Sequence, residues 1–120
     1  MTGIVVLVSG NGSNLEAIAE ACYKNQINSN IINVISNNPD AFGIVRAKRL
    51  NIPHICIDHK EFSTRDDFDL SLMRHIEQFD PDLIILAGFM RILTKTFTRC
   101  FNGKLINICL LYTSDAADEF

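Results

Sequence analysis

Ile4-Val5-Val6-Leu7-Val8-Ser9-Gly10-Asn11-Gly12-Ser13-Asn14-Leu15 is the stretch on which the fold turns. Five consecutive apolar residues read as a strand buried on both faces. Ser9 to Asn14 is a glycine-containing turn, and helical spacing starts at Leu15 and continues through Ile18, Ala19 and Cys22. A strand, a tight turn and a helix start make a ready anion site. Free backbone N–H groups and the positive end of the helix dipole meet there, and glycine lets the chain approach a ligand without a Cβ in the way. A phosphate is the first ligand expected there. The competing reading is a plain strand-to-helix turn in which Ser13 only caps the helix.

Outward from that turn, the chain alternates β-branched runs with helical periods. Strands are predicted over 4–8, 31–36, 54–57, 83–87 and 105–108. Phe42, Val45 and Arg49 form a weak stripe in a second helix, and Phe68, Leu72, Ile76 and Phe79 form a clean one in a third. A short fourth helix fits 95–101, with Gly103 as its stop. Ser13 with Glu16 reads as a capping box, Asn38-Pro39 as N-cap and first helical residue, and Thr64 as the cap of the third helix. Continuous apolar strands separated by helices imply an α/β fold, a doubly wound, mostly parallel sheet covered on both faces.

The 120 residues and formal charge of −3 suit one domain and carry no Lys/Arg block for nucleic acid or an anionic membrane. Met1-Thr2-Gly3 leads directly into the first strand, too short a start for a signal peptide or membrane span, so a cytoplasmic location is expected. Cys22, Cys56, Cys100 and Cys109 have no Cys-x-x-Cys spacing and are expected to be reduced and mostly buried. His54, Cys56 and His59 lack a structural-zinc pattern, and no metal is expected.

The dinucleotide fingerprint would need glycine where Leu15 stands and a carboxylate after the second strand. Ser36-Asn37-Asn38 supplies none, which disfavours a nicotinamide cofactor. The segment Leu86-Ala87-Gly88-Phe89-Met90-Arg91-Ile92-Leu93 follows the fourth strand, where open sheets gather ligands if the first and fourth strands are neighbours. Apolar side chains beside free backbone groups suit a flat heteroaromatic ring, or Met and Ile merely fill the core. Asn107 ends the list of candidates. As a buried amide it could donate to a developing oxyanion, or it is an ordinary turn residue. Arg65 could pair with a carboxylate ligand or be solvated.

Together these residues resemble the folate-dependent phosphoribosylglycinamide formyltransferase family of purine biosynthesis. The likeness rests on residues 4–15, Ser36-Asn37, Asp40-Ala41-Phe42-Gly43, 82–93 and Leu105-Ile106-Asn107-Ile108, and runs from about Gly3 to Ile108. It implies a Rossmann-like formyltransferase fold and transfer of a formyl group from 10-formyltetrahydrofolate to the amine of glycinamide ribonucleotide, without metal. By the same resemblance Gly12, Ser13 and Asn14 hold the ribonucleotide phosphate. Arg65, Met90, Arg91, Ile92 and Leu93 hold the folate, and Asn107 touches the formyl group and its oxyanion. Formyltetrahydrofolate hydrolase, a relative in which water replaces the amine, is the nearest alternative activity. A non-catalytic phosphate-binding fragment is the alternative outside enzymes.

After Ile108 the sequence leaves the family pattern, which continues His-Pro-Ser-Leu-Leu-Pro with the histidine as general acid and an aspartate further on. Cys109-Leu110-Leu111 stands there instead, and His54, His59 and His75 have no recognisable aspartate partner. Residues 109–119 look like the in-frame translation of a transposase-type sequencing adapter. The expectation is therefore a formyltransferase N-terminal nucleotide-binding domain over 1–108, truncated on its C-terminal side, and a non-native tail over 109–120. Such a chain would be inactive or nearly so.

Overall fold

Apolar residues at both odd and even positions of the first strand require cover on both sides, and the fold provides it. In the computed structural model, which describes residues 2–24, 28–90 and 93–108, β1 (Thr2–Val8) lies at the centre of a five-stranded sheet. Ile4, Val6 and Val8 face one layer, and Val5 and Leu7 the other. β1 is flanked by β2 (Ser29–Ser36) and β4 (Leu83–Ala87), with β3 (His54–Cys56) beyond β2 and β5 (Leu105–Ile108) beyond β4. The order is β3-β2-β1-β4-β5, and every pair is parallel. All five predicted strands form; Ile57 lies just past β3 but stays buried, its N–H donating to Ser36 O at 2.8 Å.

Helices cover the two faces in sequence pairs. α1 (Ser13–Tyr23) and α2 (Phe42–Arg49) pack on the Ile4/Val6/Val8 side through Leu15, Ala19 and Ala47. α3 (Arg65–Phe79) and α4 (Lys95–Cys100) pack on the other through Phe68, Leu72, Ile76 and Phe97. The chain thus walks outward from β1 to β3, then returns to β4 on the far side of β1. That reversal is the point where open α/β sheets form a crevice beyond their carboxyl ends.

Two predicted helix starts are corrected. α1 is capped by Gly12 in a left-handed conformation (φ 77°, ψ 20°) with no side-chain cap bond, so Ser13 is already helical and the Ser13–Glu16 capping box does not form. Glu16 N–H closes on Gly12 O at 3.2 Å, while its carboxylate turns to Arg46 at 2.8 Å. α2 starts at Phe42, not at Pro39. Asn38 Oδ1 accepts from Asp40 N–H at 3.0 Å, an Asx turn that competes with helix at those residues.

The weak stripe of α2 also points the wrong way. Phe42, Val45 and Arg49 are exposed, and the buried residues are Gly43 and Ala47. Small size explains this. A Cβ on Gly43 would stand 3.0 Å from Val8 Cγ2, so a larger residue would crowd the close approach of the helix to β1. Phe42 instead lies under the guanidinium groups of Arg46 (4.8 Å) and Arg49 (5.4 Å). Elsewhere the punctuation is as read. Thr64 Oγ1 accepts from Asp67 N–H at 3.1 Å, and Gly103 (φ 85°) follows α4.

Candidate functional site

The turn after β1 and the loop after β4 are fastened together by one residue. Ser9, buried at the end of β1, donates its N–H to Gly88 O at 3.3 Å. Its Oγ accepts the N–H of Met90 at 2.7 Å. Gly12, Ser13 and Asn14 follow at the start of α1, so the predicted anion turn and residues 88–90 lie together beyond the carboxyl ends of the neighbouring strands β1 and β4.

The loop after β4 turns sharply at its start. Gly88 is left-handed (φ 72°), Phe89 is driven into the core, and the Met90 side chain is 70% exposed. Met90 is therefore no core filler. Arg91 and Ile92 lie outside the described residues. Leu93 is half-buried against the α3/α4 core, and Thr94 N–H donates to Asp69 Oδ2 at 2.7 Å. Thr94 then caps α4, its Oγ1 accepting from Phe97 N–H at 3.3 Å.

Asp69 and Ser9 were not among the sequence candidates. Asp69 is only 2% exposed, and its Oδ1 has no partner among the described residues. Leaving a carboxylate oxygen so buried is costly, and what it fixes is the end of the loop. Its signal was legible: a carboxylate on the apolar face of α3, three residues before Leu72 and seven before Ile76.

Asn107 pairs with Leu86 across β4/β5, at the same carboxyl edge of the sheet. It is exposed, which corrects the expectation of a buried amide. Among the described residues β5 has β4 on one side only, so its residues keep access to solvent. Arg65 is the first residue of α3, exposed, with no ion pair among the described residues. The three histidines are each tied to a backbone carbonyl through Nδ1: His54 to Ile52 O (3.0 Å), His59 to Asn37 O (2.8 Å) and His75 to Ser71 O (2.8 Å). His59 follows β3, four strand positions from β5. At about 4.8 Å per step that is ~19 Å from Asn107, too far to share a proton with it.

The thiols are less enclosed than composition suggested. Cys56 and Cys100 are exposed and Cys22 half-buried, while Cys109 lies outside the described residues. Partial burial of the sulfur raises the Cys56 thiol above its ordinary value, and the charges of Asp58, Glu61 and Asp40 push the same way. A raised pKa means less thiolate at neutral pH. Alkylation of Cys56, followed by peptide mass spectrometry, should be slower than for an unstructured peptide thiol. It should still be climbing with pH above the usual thiol midpoint of about 8.5. A plateau below that pH would contradict the environment described.

A chain with this sheet order, a glycine turn after β1 and a loop after β4 fastened to it by Ser9 falls in the class of doubly wound α/β proteins. Residues 2–109 match the formyl transferase family, and the chain belongs to it. It is 45% identical over 105 residues to the phosphoribosylglycinamide formyltransferase of Escherichia coli, covering 88% of this chain and 50% of that protein. The Haemophilus influenzae enzyme of the same name is 44% identical over 108 residues, covering 90% and 51%. Among solved structures, phosphoribosylglycinamide formyltransferase from Coxiella burnetii superposes with a TM-score of 0.83 at 45% identity, covering 88% of this chain and 50% of that one. Glycinamide ribonucleotide transformylase 1 from Symbiobacterium toebii gives 0.85 at 34% identity, covering 89% and 50%. The chain thus spans about half the length of these relatives.

Proposed function

We propose that this chain forms the nucleotide- and folate-facing part of an enzyme that moves a formyl group from 10-formyltetrahydrofolate to the amine of glycinamide ribonucleotide, in the cytoplasm. The observation that carries the reading is the Ser9 link. It ties the turn after β1 to the loop after β4, in a chain whose relatives are named phosphoribosylglycinamide formyltransferase. Gly12, Ser13 and Asn14 would hold the phosphate through backbone N–H groups. Residues 90–93 would hold the pterin, with the exposed Met90 side chain free to lie against the ring. Arg65 would meet a folate carboxylate.

In the reaction the amine nitrogen attacks the formyl carbon, the C–N bond to the folate breaks, and a proton moves from the amine to the departing nitrogen. The exposed amide of Asn107 can donate to the oxyanion of the tetrahedral stage. Proton transfer needs a further group, and Cys109 stands where the resembling family carries histidine. Positioned acid–base catalysis contributes about 10²–10⁴ in rate, so this chain should bind well and transfer slowly.

Titration calorimetry of the chain with glycinamide ribonucleotide tests the reading. Saturable binding with one site per chain is expected. A chain that unfolds cooperatively on heating yet gives no saturable heat would refute it.

A further inference from the structure

We infer that Arg46 is the positioning residue of the anion turn, aiming its backbone N–H groups by holding the carbonyls on the opposite side. The inference rests on the phosphate-site reading above and goes further, naming what pre-organises it. Three consecutive carbonyls of the turn are each occupied. Gly10 O accepts from Gly43 N–H at 2.9 Å, Asn11 O from Arg46 Nε at 2.6 Å, and Gly12 O from Glu16 N–H at 3.2 Å. A trans peptide is planar, so the C=O of one residue and the N–H of the next point in opposite directions. Fixing the Gly10 and Asn11 carbonyls toward α2 therefore turns the N–H groups of Asn11 and Gly12 away from α2. Fixing the Gly12 carbonyl into α1 leaves the Ser13 N–H projecting from the helix start. Among the described residues, none of these N–H groups has an acceptor.

Two of the three restraints are main chain to main chain and survive any side-chain change. The Asn11 carbonyl alone depends on a side chain. Arg46 also binds Asn11 Oδ1 through Nη2 at 2.7 Å, so two prongs of one planar fork hold a single residue. The guanidinium is itself held, by Glu16 Oε1 at 2.8 Å and by the Phe42 ring 4.8 Å from its centre. Glu16 offsets much of its charge. The contribution to anion binding is consequently orientation rather than charge.

Arg46→Lys separates the two, because it keeps the charge and loses the fork. Binding of glycinamide ribonucleotide and of inorganic phosphate to the full chain is measured by calorimetry, with phosphate-induced shifts of the Asn11, Gly12 and Ser13 amides followed by NMR. The expected result is about tenfold weaker binding of both ligands, smaller amide shifts and little change in the thermal midpoint. Asn11→Ala, which removes one of the two prongs, should weaken binding less, and the double variant should lose less than the sum of the two. Full affinity in Arg46→Lys shows that charge suffices and overturns the inference. Additive losses overturn it as well. If Arg46→Lys does not fold, unchanged affinity and amide shifts in Asn11→Ala overturn it, and their loss supports it. No saturable binding by the unsubstituted chain defeats the phosphate-site reading and this inference with it.

Discussion

Replacing Gly12 with alanine should lower the unfolding free energy by about 2–5 kcal/mol and remove anion binding together with it. Two effects add. Gly12 has φ 77°, a left-handed conformation that disfavours any residue with a Cβ by about 1–2 kcal/mol. The new Cβ would also stand 2.6 Å from Gly43 Cα, which belongs to the backbone of α2 and cannot rotate away. Relieving that overlap means pushing α2 off the turn, and overpacking of this kind costs about 1–3 kcal/mol. Each kcal/mol lowers the midpoint of a domain this size by roughly 4–8 °C, so a drop of at least about 8 °C is expected by calorimetry or circular dichroism.

The other glycines of the crevice calibrate this. Gly88 is also left-handed (φ 72°), but a Cβ there meets nothing within 4 Å, so Gly88→Ala should show the strain alone. Gly10→Ala meets nothing within 4 Å either and should change stability by less than about 0.5 kcal/mol. Equal effects at all three positions would mean that the contact between the turn and α2 carries no weight.

That contact also marks where the sequence stopped being readable. The strands were legible because burial on both faces leaves an unbroken apolar run, and β1 shows one over Ile4 to Val8. α3 was legible because Phe68, Leu72 and Ile76 fill space by bulk at helical spacing. α2 packs by absence of bulk, through Gly43 and Ala47, and a hydrophobic pattern cannot register a missing side chain. The eye falls on Phe42 and Val45, which are outside. The same blindness hid the cap of α1. Ser13 is a good capping residue by type, yet the cap is Gly12, because only glycine tolerates both the backbone angle and the closeness of Gly43. Gly12, Met90 and Asn107 lie where the pattern put them in the chain, after β1, after β4 and near the end of β5. Of those holding them in place, Ser9 and Arg46 act across 81 and 35 residues of sequence and were invisible without the fold, whereas Asp69, acting across 25, shows in the sequence as a carboxylate on the apolar face of α3.

Asn107 offers the opposite experiment, in which chemistry is lost and the fold is spared. Asn107→Asp keeps the size and shape of the side chain but replaces the N–H₂ donor by a second acceptor with negative charge. An oxyanion forming beside it would meet repulsion where it had a hydrogen bond. Loss of one such donor slows turnover by about 10²–10³, and the added charge acts in the same direction. Stability should change by less than about 0.5 kcal/mol, because the side chain is exposed and the pairing of Asn107 with Leu86 belongs to the backbone. Affinity for glycinamide ribonucleotide should be nearly kept, since the proposed phosphate turn follows β1, two strands away. The measurement is a single-turnover assay with isotopically labelled formyl donor, paired with calorimetric binding of the ribonucleotide. A lower transfer rate at constant affinity places Asn107 at the reacting carbon. A matching loss of affinity would show that it acts on the bound ground state, and an unchanged rate would remove it from the reaction altogether.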